Sequence, residues 1–120
     1  RHAIARRYDE LLADLSVATP WQHADSYSGL HLYAIRLKLK EILKTHREVF
    51  ESLRKDGVGV NLHYIPVYRQ TYYERLGFRR GYCPDAEKYY AEAISLPMYP
   101  GLTDDMQKEV VETLKKAIGI

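Results

Sequence analysis

The chain has 120 residues, 46% of them hydrophobic and 28% charged, which suits one globular domain and excludes a disordered tail or two full domains. Lys plus Arg number 18 against 16 Asp plus Glu, and a net charge of +2 is too even to announce a nucleic-acid protein. Cys83 is the only cysteine, so an internal disulfide and a cysteine-built metal site are excluded, and the absence of a long apolar run or a secretory leader pattern makes the cytoplasm the expected location.

The first expected element is an amphipathic helix from Arg1 to Leu15, with Ile4, Tyr8, Leu11, Leu12 and Leu15 at three-to-four spacing and Arg6, Arg7 and Glu10 outside. It starts in helical pattern without an initiator Met, which predicts a piece of something longer. Ala18 to Gly29, with Pro20, Ser26 and Ser28, reads as a loop carrying Trp21 and His23. The first two-thirds of Leu30 to Leu39 read as a strand.

Thr45 with Glu48 forms a capping-box pattern, opening a helix through Lys55 that buries Val49, Phe50 and Leu53 and stops at Gly57. Val58, Val60, Leu62 and Tyr64 then alternate with Gly59, Asn61 and His63, so a half-covered strand is expected with His63 facing away from its apolar side. Pro66 ends it, having no N–H to donate. A short helix follows from Thr71 to Leu76, closed by Gly77, and Pro84 suits a first helical position. The stripe Ala86, Tyr89, Tyr90, Ala93 and Ile94 predicts a helix ending near Ile94, with both tyrosines in the core. Ser95 to Pro100 is expected to be extended. Thr103 caps the last helix, whose inward positions are Met106, Val110, Leu114 and Ile118, and Gly119 ends it. The expected fold class is α+β, a small sheet of two to four short strands covered by helices.

Few residues carry chemistry on spacing alone. Gly57-Val58-Gly59 follows a helix and precedes an expected strand, the reverse of dinucleotide-binding order, and reads as a helix stop. His2, His23, His31, His46 and His63 never stand at i, i+4 on an expected helix, so no metal site is expected, and His2 and His46 suit a solvated surface. Cys83 lacks a basic cluster beyond Arg79 and Arg80 that would activate it. Those arginines with Arg69 and Arg75 could meet phosphates, with tyrosines stacking on bases, but placing Tyr89 and Tyr90 in a core takes away half of that platform. What remains is Asn61-Leu62-His63-Tyr64-Ile65-Pro66-Val67-Tyr68, an outward His followed by two Tyr where a strand opens into a loop, a favoured setting for ligand contact.

The segment Val60 to Val111 resembles the C-terminal region of the pyridoxal-phosphate-dependent nucleotide-sugar aminotransferases of the DegT/DnrJ/EryC1/StrS type. The resemblance rests on Val60 to Val67, Tyr72-Tyr73, Leu76-Gly77-Phe78, Pro84 to Tyr90, Ile94-Ser95-Leu96-Pro97-Met98-Tyr99-Pro100 and Leu102-Thr103-Asp104-Asp105, in matching order and spacing. Arg6-Arg7-Tyr8 and His31 to Leu37 extend it over nearly the whole chain, and it is closest to members acting on UDP-linked keto-sugars, such as the transaminase of pseudaminic acid synthesis.

The resemblance implies the small domain of a fold-type I aminotransferase: residues 1–17 a connecting helix, 18–29 a loop and 30–120 an αβ core. It implies a cofactor, pyridoxal 5'-phosphate, held by an N-terminal domain whose aldimine-Lys motif has no match here, so this chain is expected to carry no covalent cofactor and to be inactive alone. It also implies a homodimer, amino transfer from an amino acid such as glutamate to a nucleotide-linked keto-sugar, and no membrane or nucleic-acid partner. His63, Tyr64 and Tyr68 are the substrate-binding residues it points to. Tyr68 stands where close relatives often have His, and Arg69-Gln70-Thr71 where they often have Leu-Gln-Pro. The competing expectation is a free-standing nucleotide-sugar-binding or regulatory domain.

Overall fold

The structure, a computed structural model, describes residues 1–119. Its elements are α1 (His2–Leu11), β1 (Val17–Ala18), β2 (Tyr33–Leu37), α2 (His46–Lys55), α3 (Thr71–Arg75), α4 (Pro84–Glu92), β3 (Ala93–Leu96) and α5 (Asp104–Ile118), with single 3-10 turns at Leu39–Glu41 and Val67–Arg69. The α+β class is as expected.

The three strands form one antiparallel sheet in the order β1-β2-β3. Val17 pairs with Leu37 and Ala18 with Arg36; on the other side Tyr33, Ala34, Ile35 and Arg36 face Leu96, Ser95, Ile94 and Ala93. Directly opposed residues share a face. Tyr33, Ile35, Leu37, Val17, Ile94 and Leu96 therefore point one way, into a core in which each is at most 5% exposed. Helices α1, α2 and α5 close that core, α5 lying against both of the others. Ala18, Ala34, Arg36, Ala93 and Ser95 point the other way.

Local chemistry sets the helix ends on the core side. The Thr45 hydroxyl accepts from the Glu48 N–H at 3.1 Å while the Glu48 carboxylate accepts from the Thr45 N–H at 2.7 Å, completing the expected capping box. Gly57, at φ +88°, supplies the left-handed turn after α2 that an L side chain resists. In α5 the Thr103 cap and the Gly119 stop stand where the sequence put them.

Several expectations are corrected. Helix α1 ends at Leu11, not Leu15 or residue 17. At roughly 100° per residue, Val17 would lie opposite Tyr8 on a continued helix; pairing with Leu37 buries it instead. Arg7, expected outside, is half-buried and bridges Asp104 of α5 at 2.9 Å. The strand expected over 58–64 is a single bridge, Asn61 to Ser95. Val60 N–H donates to Val58 C=O two residues back, a contraction that prevents a regular ladder.

Helix α4 ends at Glu92, and Ala93 and Ile94 belong to β3. No residue of α4 is buried, and Tyr89 is 39% exposed, so the tyrosine stripe is not core. In α5, Met106 is exposed, and the buried position next to it is Gln107, whose amide donates to Ile4 C=O at 2.7 Å and ties α5 to α1. His46 and His2 are half-buried and not simply solvated: His46 Nε2 bonds Ala93 C=O at 2.8 Å, and His2 stacks on Tyr27 with its Nε2 3.0 Å from Ser28 C=O.

Candidate functional site

The outward residues of the sheet are mostly small, and small side chains leave room above them. A cleft of about 420 Å³ lies there, floored by Ala18, Leu32, Ala34 and Arg36, with Thr19, Pro20 and Trp21 of the β1–β2 loop on one side and His63 and Tyr89 on the other. The backbone bridge between Asn61 and Ser95 fixes the segment that carries His63 onto the free edge of β3.

His63 is half-buried, and its Nδ1 is 2.8 Å from the Ser95 hydroxyl. Ser95 is only 5% exposed, so that hydroxyl is directed at the imidazole and out of reach of a ligand. Tyr64 stands edge-on to His63, ring centroids 4.6 Å apart, and is exposed. Arg36 is 3.7 Å from Glu92, leaving its guanidinium partly open. The lining thus offers an imidazole nitrogen, a guanidinium and the rings of Trp21 and Tyr89, a set that hydrogen-bonds oxygen acceptors and covers a planar or sugar-like face.

Of the three residues expected at the substrate, His63 and Tyr64 come together. Tyr68 does not line the cleft: its hydroxyl lies 3.3 Å from both N and O of Cys83, and its ring stands edge-on to Tyr82. Desolvation and the Glu87 carboxylate beside it raise the Tyr68 hydroxyl above the usual phenol range. Glu87 is correspondingly held low by Tyr68 and by the Gly81 N–H, which donates to it at 2.6 Å. Around them Tyr72, Tyr73, Phe78 and Tyr82 make a surface chain of edge-on rings.

Sequence reasoning missed Ser95, Arg36, Trp21 and Tyr89 as neighbours of His63. The period of two in Leu32, Ala34 and Arg36 marks an outward face, but nothing local says which loop covers it. Among the described residues no cluster of three or more His, Cys, Asp or Glu could hold a metal ion, and no helix is long and apolar enough to cross a membrane. No lysine lines the cleft.

The model of the DegT/DnrJ/EryC1/StrS aminotransferase family matches residues 1–115. The chain is 32% identical over 124 residues to the dTDP-3-amino-3,4,6-trideoxy-alpha-D-glucose transaminase of Micromonospora megalomicea subsp. nigra, a match covering 98% of this chain and 32% of that protein. Among solved structures, Spr1654 from Streptococcus pneumoniae in its PMP form superposes with a TM-score of 0.87 at 28% identity, over 97% of this chain and 29% of that one. PseC of Helicobacter pylori, an aminotransferase involved in pseudoaminic acid biosynthesis, gives 0.85 at 26% identity, over 98% of this chain and 31% of that one. The chain spans about 31% of the length of the first curated relatives it matches.

Proposed function

The chain belongs to the DegT/DnrJ/EryC1/StrS aminotransferase family, and we propose that it is the C-terminal small domain of a pyridoxal-phosphate-dependent transaminase acting on a nucleotide-linked keto-sugar. The amino donor in this reading is glutamate, and the product serves amino-sugar or surface-polysaccharide synthesis. The observation that carries it is the placement of His63: the ring lies in a cleft on the outer sheet face, held by a buried hydroxyl, within the motif segment of the family resemblance.

The lysines of this chain do not fit the cofactor. Seven are exposed and Lys115 is half-exposed, and none lines the cleft. A Schiff-base amine needs a sheltered site that lowers its pKa. We therefore assign pyridoxal 5'-phosphate to the N-terminal domain of the longer polypeptide, and the 120 residues alone to substrate shaping and to the homodimer interface, without turnover. His63 and Tyr64 bind the sugar-nucleotide acceptor from the cleft. Tyr68 belongs to the same substrate-facing surface, contributing from the ring cluster beyond it. The enzyme in this reading is cytoplasmic.

His63→Ala in the full-length enzyme tests the reading. A hydrogen bond to a polar or charged group is worth about 1–2 kcal/mol, so KM for the nucleotide sugar should rise about tenfold with KM for glutamate unchanged. Equal change in both constants, or in neither, counts against it. Supplying the 120-residue chain with pyridoxal phosphate and both substrates should yield no amino-sugar.

A further inference from the structure

The contact between Ser95 and His63 specifies more than proximity. Ser95 sits on the outer face of β3, opposite Ala34, with its N–H bonded to Asn61 C=O at 2.9 Å and its C=O receiving Asn61 N–H at 3.2 Å. Its backbone is thus occupied and its position rigid. The residue is 5% exposed, and among the described residues the one hydrogen-bond partner of its side chain is His63 Nδ1 at 2.8 Å.

A hydroxyl has one proton to place, and leaving it unpaired in a buried site costs about 1–3 kcal/mol. If Nδ1–H donated to Ser95, the serine proton would have no acceptor. If Ser95 donates to Nδ1, every buried group in the contact is satisfied. The proton of the neutral imidazole then resides on Nε2. That nitrogen makes no hydrogen bond among the described residues, and it is not one of their buried atoms left without a partner, so solvent or a ligand reaches it. We infer that Ser95 is a positioning residue that holds His63 as the Nε2–H tautomer, so that His63 meets the acceptor substrate as a hydrogen-bond donor to a hydroxyl, carbonyl or phosphate oxygen and not as a base.

This rests on the reading of His63 as a substrate contact only for its last step; the tautomer and its cause belong to the chain itself. The tautomer is read by two-bond and three-bond ¹H–¹⁵N correlation of the His63 ring in the 120-residue chain at neutral pH. The expected result is a single Nε2–H species in wild type and a mixture of tautomers in Ser95→Ala, with Ser95→Thr restoring the single species. A proton on Nδ1 in wild type, or an unchanged single species in Ser95→Ala, overturns the inference.

In the full-length enzyme Ser95→Ala should raise KM for the nucleotide sugar about fivefold, leave KM for glutamate alone, and add nothing in a His63→Ala background. Equal effects of Ser95→Ala with and without His63 would mean a merely structural serine and also overturn it. If His63→Ala alone leaves KM unchanged while the ring spectra behave as expected, the substrate reading fails and the Ser95 inference stands.

Discussion

The two faces of the small sheet are built to opposite specifications. On one, six side chains from three strands are each at most 5% exposed against α1, α2 and α5. On the other, alanines and a serine leave an open cleft, lined by Trp21 at 80% exposure, and Tyr64, beside His63, is 68% exposed. The tyrosines divide along the same line. Tyr8 and Tyr33 are fully buried, with hydroxyls bonded to Pro97 C=O at 2.8 Å and to Asp9 at 2.5 Å. Tyr64, Tyr72 and Tyr82 are exposed at the surface, edge-on to His63, Tyr73 and Phe78 respectively. One strand thus buries its odd residues in the core while its even ones line an open cleft, and large exposed aromatics beside that cleft are the kind of patch that marks an interaction surface.

The sharpest way to break this comparison is on adjacent residues of β2. Ile35→Ala removes a side chain at 0% exposure and should destabilise the chain by about 3 kcal/mol, the usual scale for a cavity in a core of this kind. Arg36→Ala, one residue on and facing the cleft, should cost less than about 1 kcal/mol, since its partner Glu92 is 3.7 Å away and the guanidinium is partly open to solvent. Urea unfolding midpoints at constant slope measure both. Similar losses at the two positions would mean that the outer face contributes to the fold as the inner one does.

A smaller effect separates the two sets of tyrosines. Tyr33→Phe removes the hydrogen bond to Asp9 without changing the ring's volume and should cost about 1–2 kcal/mol, while Tyr64→Phe should be neutral. Burial, then the Asp9 carboxylate, raise the Tyr33 hydroxyl above the phenol range, and burial does the same for Tyr8. A raised folded pKa means that the neutral phenol is the form the fold favours. Its contribution is complete below about pH 10 and is lost as pH rises beyond that. An ultraviolet titration should therefore show two of the 11 tyrosines ionising only as the chain unfolds.

The inner half of this design was legible in the sequence. Caps and stops act over three or four residues, so Thr45 with Glu48, Gly57, Thr103 and Gly119 announce helix ends without help from distant chain. Alternation in Val58 to Tyr64 gave the outward placement of His63 but not the absence of a ladder, because a period of two says which side is apolar and not whether a partner strand is in reach. Tyr89 and Tyr90 have helical spacing that fits a core stripe; that α4 lies over small outward residues and not in the core depends on the register of β2 against β3. Of the candidate cleft, the sequence pattern pointed to His63, with Tyr64 its neighbour in the chain. Ser95, 32 residues on, and Trp21, in a loop 42 residues before, join them only through that register.

The smallest expected effect tests whether the outer side can loosen while the core holds. Glu87, in the first turn of α4, is kept below the ordinary carboxylate range chiefly by Tyr68, with the Gly81 N–H adding to it. A depressed folded pKa means that the ionised form is the one the local structure favours. The contribution is therefore present above the unfolded value near 4.5 and is lost as pH falls through the lower folded value. On acidification the 2.6 Å bond from Gly81 to Glu87 should weaken before the core yields. In amide spectra the Gly81 resonance should shift with an apparent pKa below 4.5, while Ile35 and Leu53 remain unchanged over the same range. Glu87→Gln should abolish the Gly81 shift and leave the urea midpoint at neutral pH nearly where it was, because the Gly81 contact lies at the surface. A midpoint that moves with it would show that the turn before α4 is coupled to the core, and that the two faces of the sheet do not respond independently.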